Sequence, residues 1–297
     1  TMQIIMSFLM ISLVSVMLPR ALVSLKRIKE ILKKKVSIVE RENPVPFKES
    51  EKGIIEFKDV SFKYPDADEA MLKNISFKAL PGTTTAFIGS TGSGKSTLIN
   101  LIPRFFDATS GEIYVDGVNI KEASVVELRN RIGYVPQKGM LFSGTIKSNL
   151  MLGNDNLTET EMVDAAKVSQ SLEFINTKKD NFNSEISQGG ANVSGGQKQR
   201  LSIARAIAKN PEIYIFDDSF SALDFKTDAA LRKALFEHAK EATILIVAQR
   251  ISTIMNADNI IVLNEGEIVG SGTHKELLKT CKIYKEIALS QLKEEEL

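Results

Sequence analysis

Residues 89–97 read GSTGSGKST, and this stretch decides the fold. Gly89, Gly94, Lys95 and Ser96 satisfy the pattern G-x-x-x-x-G-K-[ST] of a phosphate-binding loop. The chemistry follows from the residue types. Glycines let successive backbone N–H groups converge on phosphate oxygens, and a helix start adds its positive end. Ser90, Thr91, Gly92 and Ser93 form the turn of the loop, Lys95 supplies a mobile cation, Ser96 a hydroxyl suited to Mg²⁺, and Thr97 enters the helix. The flanks fit: Thr84–Ile88 is a short β-rich run, and residues 97–102, TLINLI, are compatible with a helix. Strand, glycine loop, helix is the setting the motif requires, and it predicts an α/β fold of the P-loop NTPase type.

Composition narrows the class. The chain has 297 residues, 43% hydrophobic and 25% charged, with a formal net charge of +1. That balance opposes nucleic acid as the main partner, since such binders carry a basic excess. A single cysteine, Cys281, excludes a disulfide framework and a cysteine metal cluster. His238 and His274 lie far apart in polar, helix-like contexts and read as surface residues rather than ligands.

The chain divides into three regions. Met2–Leu18 carries no charge, and Arg20, Lys26, Arg27, Lys29, Lys33, Lys34 and Lys35 follow, opposed only by Glu30. As a helix, 17 residues extend about 25 Å, a little short of a ~30 Å hydrocarbon core. Charge after the apolar run is the reverse of a signal peptide and fits a membrane helix emerging on the cytoplasmic side. Beginning at Thr1, residues 1–40 read as the end of a longer transmembrane helix with its cytoplasmic extension, with a buried or interfacial helix as the alternative. Residues 41–52, RENPVPFKESEK, read as a charged linker, where Pro44 and Pro46 disfavour helix. From Gly53 to residue 297 the pattern is mixed α/β: strand-like runs at Ile213–Phe216, Thr243–Ala248 and Asn259–Leu263, helical patterning at about 157–175 and 195–209, and a capping box at Thr273 and Glu276 opening a last helix.

Beyond the loop, residues 193–200 read VSGGQKQR, and 213–218 read IYIFDD, followed by Ser221, Ala222, Leu223 and Asp224. Phosphate loop, SGGQ, an apolar strand ending in aspartate, then SALD: this order resembles an ABC transporter nucleotide-binding domain over about residues 53–290. The resemblance implies a P-loop core with an antiparallel β-subdomain and an inserted helical subdomain at about 140–208, with ATP and Mg²⁺ as cofactors. It implies that Tyr64 stacks on adenine, that Gln137 in YVPQ reaches the Mg²⁺, and that Asp217 and Ser96 join it as metal residues. Asp217 closes an apolar strand, and the C-terminal ends of parallel strands face the ligand crevice. Ser194, Gly195, Gly196 and Gln197, with Asp224, belong to the nucleotide-binding set. In the family such a signature contacts ATP held by a partner domain, so two domains sandwich two nucleotides about a two-fold axis. Val193 stands where leucine is usual.

Two positions depart from the family pattern. Asp218 replaces the glutamate that positions the attacking water, and Gln249, in IVAQRIST, replaces the switch histidine. Together with Lys95 they form the expected catalytic set. An aspartate is one methylene shorter than glutamate, whereas a water-positioning carboxylate must lie within about 2.6–3.2 Å of its proton. Glutamine can donate to a phosphate oxygen but cannot become a cation. The pairing resembles one half of a heterodimeric exporter with a degenerate ATP site in the cell membrane. A fully active homodimer with Asp218 as base, a soluble family member acting on translation or DNA, and a regulatory nucleotide-binding module are the competing readings. The apolar Met2–Leu18 run and near-neutral charge oppose the soluble one.

Overall fold

A computed structural model describes residues 1–292 except Lys35 and Asp66. Lys35 of the basic run, Asp66 of the segment after Tyr64 and the tail from residue 293 therefore lie outside the described residues. The chain divides into two units, Thr1–Val39 and the domain from Glu40 onward.

The first unit is one helix, α1, Met2–Lys33. At 32 residues it is about 48 Å long, well beyond the apolar run alone. It continues through Pro19, which contributes no N–H to the ladder. None of its residues is buried, and its most apolar 18-residue window has a mean hydropathy of 2.0. The Ser7 hydroxyl donates back to Gln3 O at 2.9 Å, which satisfies a polar group inside an apolar stretch.

In the second unit the chain runs β1 Ile55–Phe62, β2 Leu72–Ala79, β3 Thr84–Gly89, α2 Lys95–Leu101, β4 Ser110–Val115, β5 Val118–Asn119, α3 Val125–Asn130 and β6 Ile132–Val135. The middle of the domain follows as β7 Gly144–Thr145, α4 Ile146–Met151, α5 Glu159–Val168, α6 Leu172–Asn176, β8 Glu185–Ile186 and α7 Gly195–Ala208. The last part is β9 Ile213–Asp217, α8 Phe225–His238, β10 Thr243–Val247, α9 Ile251–Ile254, β11 Asn259–Asn264, β12 Glu267–Gly272, α10 His274–Thr280 and α11 Lys282–Leu289.

One sheet has the order β2-β1-β4-β5 and is antiparallel; a second, β12-β11-β3-β10-β9-β6, is parallel except for the β12 edge; β7 and β8 form a third, two-stranded antiparallel sheet. The strands β3, β9, β10 and β11 are buried on both faces, and their side chains alternate between two cores. Ala86, Ile88, Tyr214, Phe216, Ile244 and Ile246 face the helices α4, α5, α7 and α8. Phe87, Ile213, Ile215, Leu245 and Val247 face α2 and the antiparallel sheet. Of the helices between β7 and β9, α4, α5 and α7 start on capping boxes, at Thr145 with Ser148, Thr158 with Glu161, and Ser194 with Gln197.

Two features differ from the sequence reading. His274 is buried, not on the surface: its Nδ1 lies 2.7 Å from the Tyr284 hydroxyl, in the packing of α10 on α11. Apolar neighbours from a later helix cover it, which local polarity could not show. Segment 41–52, read as a charged linker, is fastened to the domain, a contact the sequence reading did not include. Phe47 is buried beneath the Arg131 guanidinium at 4.7 Å, and Lys48 N donates to Asp116 O at 3.1 Å. Arg131 also bonds Asp116 at 2.9 Å, Glu212 at 2.8 Å and Glu49 at 3.1 Å, while Asp116 accepts from Gly53 N at 2.7 Å.

Asp116 is fully buried, and burial raises its pKa against the pull of Arg131 and the Gly53 amide. Removing Arg131 leaves that carboxylate without its cation. Arg131→Ala is therefore expected to cost about 3–5 kcal/mol. Arg131→Ala combined with Asp116→Asn should recover much of the loss, because no buried charge is then unpaired. Denaturant unfolding of the three variants checks this ordering.

Candidate functional site

Strand register assembles the site. Val247 pairs with both Phe87 and Asp217, so the C-terminal ends of β3, β10 and β9 lie level. The loop after β3, Asp217–Asp218 and Gln249 therefore emerge side by side at one edge of the parallel sheet.

The glycine loop is tightly enclosed. A Cβ on Gly89 would strike Leu263 O of the neighbouring strand. Gly94 sits at φ 98°, and a Cβ there would lie 2.7 Å from Leu72 Cδ2. Leu98 N donates to Gly94 O at 2.8 Å as α2 begins. Within the loop, Lys95 Nζ donates to Gly89 O at 2.8 Å, Ser90 O at 2.7 Å and Ser93 Oγ at 3.4 Å. Burial lowers the Lys95 pKa, and the charges of Asp218 and Asp217 work against that. An ammonium resting on its own loop carbonyls is poised to exchange them for phosphate oxygens.

Ser96 Oγ donates to Asp217 Oδ1 at 2.8 Å. A hydroxyl and a carboxylate so close are hard oxygen donors of the kind Mg²⁺ takes alongside phosphate and water. Among the described residues no cluster of three or more His, Cys, Asp or Glu could hold a metal alone, so a divalent ion here would share its shell with a phosphate ligand.

Asp218 is the hub of the polar cluster. Its Oδ2 accepts from Gln137 Nε2 at 3.1 Å and Gln249 Nε2 at 2.8 Å. Its backbone is held at φ 47°, unusual for a side-chain-bearing residue, by Asp218 N donating to Val247 O at 2.9 Å and Ser221 Oγ donating to Asp218 O at 2.7 Å. Burial raises the pKa of Asp218; it also raises that of Asp217, with the Asp218 charge adding to the effect.

The structure thus brings Lys95, Ser96, Gln137, Asp217, Asp218 and Gln249 to one edge of the sheet, in three hydrogen-bonded sets: Lys95 with its own loop, Ser96 with Asp217, and Gln137 and Gln249 with Asp218. Tyr64 stands at the far end of the loop, its hydroxyl 3.1 Å from Thr97 Oγ1 and its ring edge-on to Phe62 and Phe106. The remaining predicted residues lie at helix starts and bond to their own helices. Ser194 Oγ accepts from Gln197 N at 3.3 Å, Gln197 Oε1 accepts from Ser194 N at 3.1 Å, and Asp224 Oδ1 accepts from Thr227 N at 3.0 Å. Ser194 and Gly195 are exposed, and a Cβ on Gly195 would meet nothing within 4 Å.

Sequence reasoning missed Tyr134. Its hydroxyl donates to Asn100 Oδ1 at 2.9 Å and lies 3.5 Å from Asp217 Oδ2, joining β6 to α2 behind Asp217. Its place in YVPQ, three residues before Gln137, was the available signal.

Comparison with known proteins agrees with this geometry. The profile of a family described as "ABC transporter" matches residues 72–221. An uncharacterized ABC transporter ATP-binding protein of Mycobacterium tuberculosis (strain ATCC 25618 / H37Rv) is 45% identical over 97% of this chain and 50% of its own length. A Staphylococcus aureus (strain NCTC 8325 / PS 47) protein, provisionally named a multidrug export ATP-binding/permease protein, is 47% identical over 77% of this chain and 40% of its own. The solved structure of a bacterial Atm1-family ABC exporter with ATP bound superposes with a TM-score of 0.85 at 32% identity, covering 93% of this chain and 48% of that one. The chain thus spans about half the length, or less, of the curated relatives it matches.

The pH dependence of stability tests the cluster. A carboxyl whose folded pKa is raised contributes stability that is present below its unfolded value, 3.8 for aspartate, and lost as pH rises through the folded value. Without nucleotide or Mg²⁺, the stability these two carboxyls contribute should fall as pH climbs from 3.8 through their folded values. Asp217→Asn and Asp218→Asn should each flatten the fall, as read by thermal melts across pH.

Proposed function

The chain belongs to the ABC transporter family, and from that premise we propose that it is the ATP-binding, ATP-hydrolysing part of an exporter half-transporter. In this reading α1 is the end of a transmembrane helix, and the basic residues after Leu18 place the domain on the cytoplasmic side of the cell membrane. Lys95 and the loop amides hold the β- and γ-phosphates, Tyr64 stacks on the adenine, and Ser96, Asp217 and Gln137 hold Mg²⁺. Bound Mg-ATP supplies the phosphoanhydride that is cleaved; the protein contributes positioning and charge neutralisation.

The observation that carries the reading is Gly195. A glycine at the first turn of a helix costs stability relative to a residue with a side chain. Nothing within 4 Å among the described residues requires the missing Cβ. The requirement therefore comes from outside, and phosphate on a second nucleotide-binding domain satisfies it: Ser194, Gly195 and Gly196 open the 14-residue α7, whose N-terminus attracts an anion.

The partner in this reading is a different half-transporter. Asp218 carries a shorter arm than glutamate and gives its Oδ2 to two glutamine amides, Gln137 and Gln249. Losing general-base assistance costs about 10²–10⁴ in rate. The site on this chain then retains ATP more than it consumes it, while Ser194–Gln197 completes the partner's faster site.

Asp218→Glu with Gln249→His is expected to raise hydrolysis at this chain's own site when the partner is present, measured by single-turnover assays of the co-purified pair. Ser194→Ala should instead depress the partner's site. Brisk turnover by a purified homodimer, abolished by Asp218→Asn, would overturn the heterodimer reading and establish Asp218 as a working base.

A further inference from the structure

Gln291 lies two residues past the end of α11, yet its side chain bonds the segment that carries Gln249. Its Nε2 donates to Gln249 O at 2.8 Å, and its Oε1 accepts from Ile251 N at 2.8 Å. The two bonds straddle Arg250 and use both ends of one amide, a geometry that fixes the plane as well as the position of the segment.

The acceptor is needed there. Ile251 opens α9, a four-residue helix whose N-cap, Arg250, makes no side-chain cap hydrogen bond. The first N–H groups of a helix lack intrahelical partners, and a cap normally supplies an oxygen. Gln291 supplies it from 40 positions away in sequence.

Both ends of the connection are anchored. On the far side, Gln291 N donates to Ala288 O at 3.0 Å, and Tyr284 and Ala288 of α11 are fully buried. On the near side, Gln249 Nε2 reaches Asp218 Oδ2 at 2.8 Å. A continuous path of bonds thus runs from the buried face of α11 through the Gln291 amide and the Gln249 backbone to Asp218.

We propose that Gln291 is a positioning residue that holds the Gln249 backbone so that its amide points at the γ-phosphate side of the site. This rests on the reading of Gln249 as a γ-phosphate donor. It makes the end of α11 part of how the site tells ATP from ADP. Loss of Gln291 frees the Gln249 backbone and weakens only what depends on the γ-phosphate.

The test uses the full-length transporter in detergent. An azido-adenine nucleotide photolabels this chain, and unlabelled Mg-ATP or Mg-ADP competes with it. Gln291→Ala is expected to raise the half-competing ATP concentration by about three- to tenfold, the scale of one or two lost hydrogen bonds, and to leave that for ADP unchanged. Gln249→Ala should show the same ATP-selective loss. Gln291→Glu should follow Gln291→Ala, since a carboxylate has no donor for Gln249 O. If Gln249→Ala is ATP-selective and Gln291→Ala is not, the inference alone falls. Equal losses for ATP and ADP in Gln291→Ala also overturn it, because Gln291 then only props the domain. If Gln249→Ala shows no ATP-selective loss, the reading of Gln249 falls and takes the inference with it.

Discussion

The in-register pairing of β10 with β3 on one side and β9 on the other is the constraint on which the site depends. Because Val247 lies opposite both Phe87 and Asp217, three loops from distant parts of the sequence leave the sheet at the same level. The pairing is held by side chains that alternate between two apolar cores, Ile244 and Ile246 on one face, Leu245 and Val247 on the other. A slip of one residue would exchange the faces and carry Asp217 away from Ser96. Chemistry at the edge is thus specified by packing in the middle.

Within that frame the polar groups form a self-satisfied set. Lys95 occupies carbonyls, Ser96 occupies Asp217, and the two glutamine amides occupy Asp218. Each bond joins a group expected to face phosphate, metal or water to one that can release it. Burial disfavours every charge in the cluster, lowering the lysine pKa and raising both aspartates. Opposite charges in a half-buried cleft limit that cost, and an anionic ligand with a divalent cation would re-pair the same groups.

Local sequence revealed what local physics determines. The glycine loop is legible because its conformation needs glycine at Gly94, the strand before it by its β-rich residues, and Ile213–Asp217 because a strand buried on both faces reads as an apolar run. The cap at Ser194 shows in its Ser-x-x-Gln spacing. What stayed hidden depends on partners remote in sequence. His274 looked exposed until Tyr284 covered it, segment 41–52 showed its charges and prolines but not the Arg131 that closes on it, and Gln291 has no motif at all. Tyr134 sat inside a quoted motif, but only the meeting of β6 with α2 shows which neighbours its hydroxyl finds.

Gly53 is the point where the fastened segment enters the domain. Its carbonyl accepts from Thr243 Oγ1, and its N–H donates to Asp116. Thr243 is the first residue of β10, whose other end leads to Gln249. A five-residue strand spans only about 17 Å. The incoming chain and the glutamine that bonds Asp218 are therefore at opposite ends of one short, doubly buried strut. Such a strut is far stiffer along its length than any loop, so load applied at one end arrives at the other with little lost to bending between.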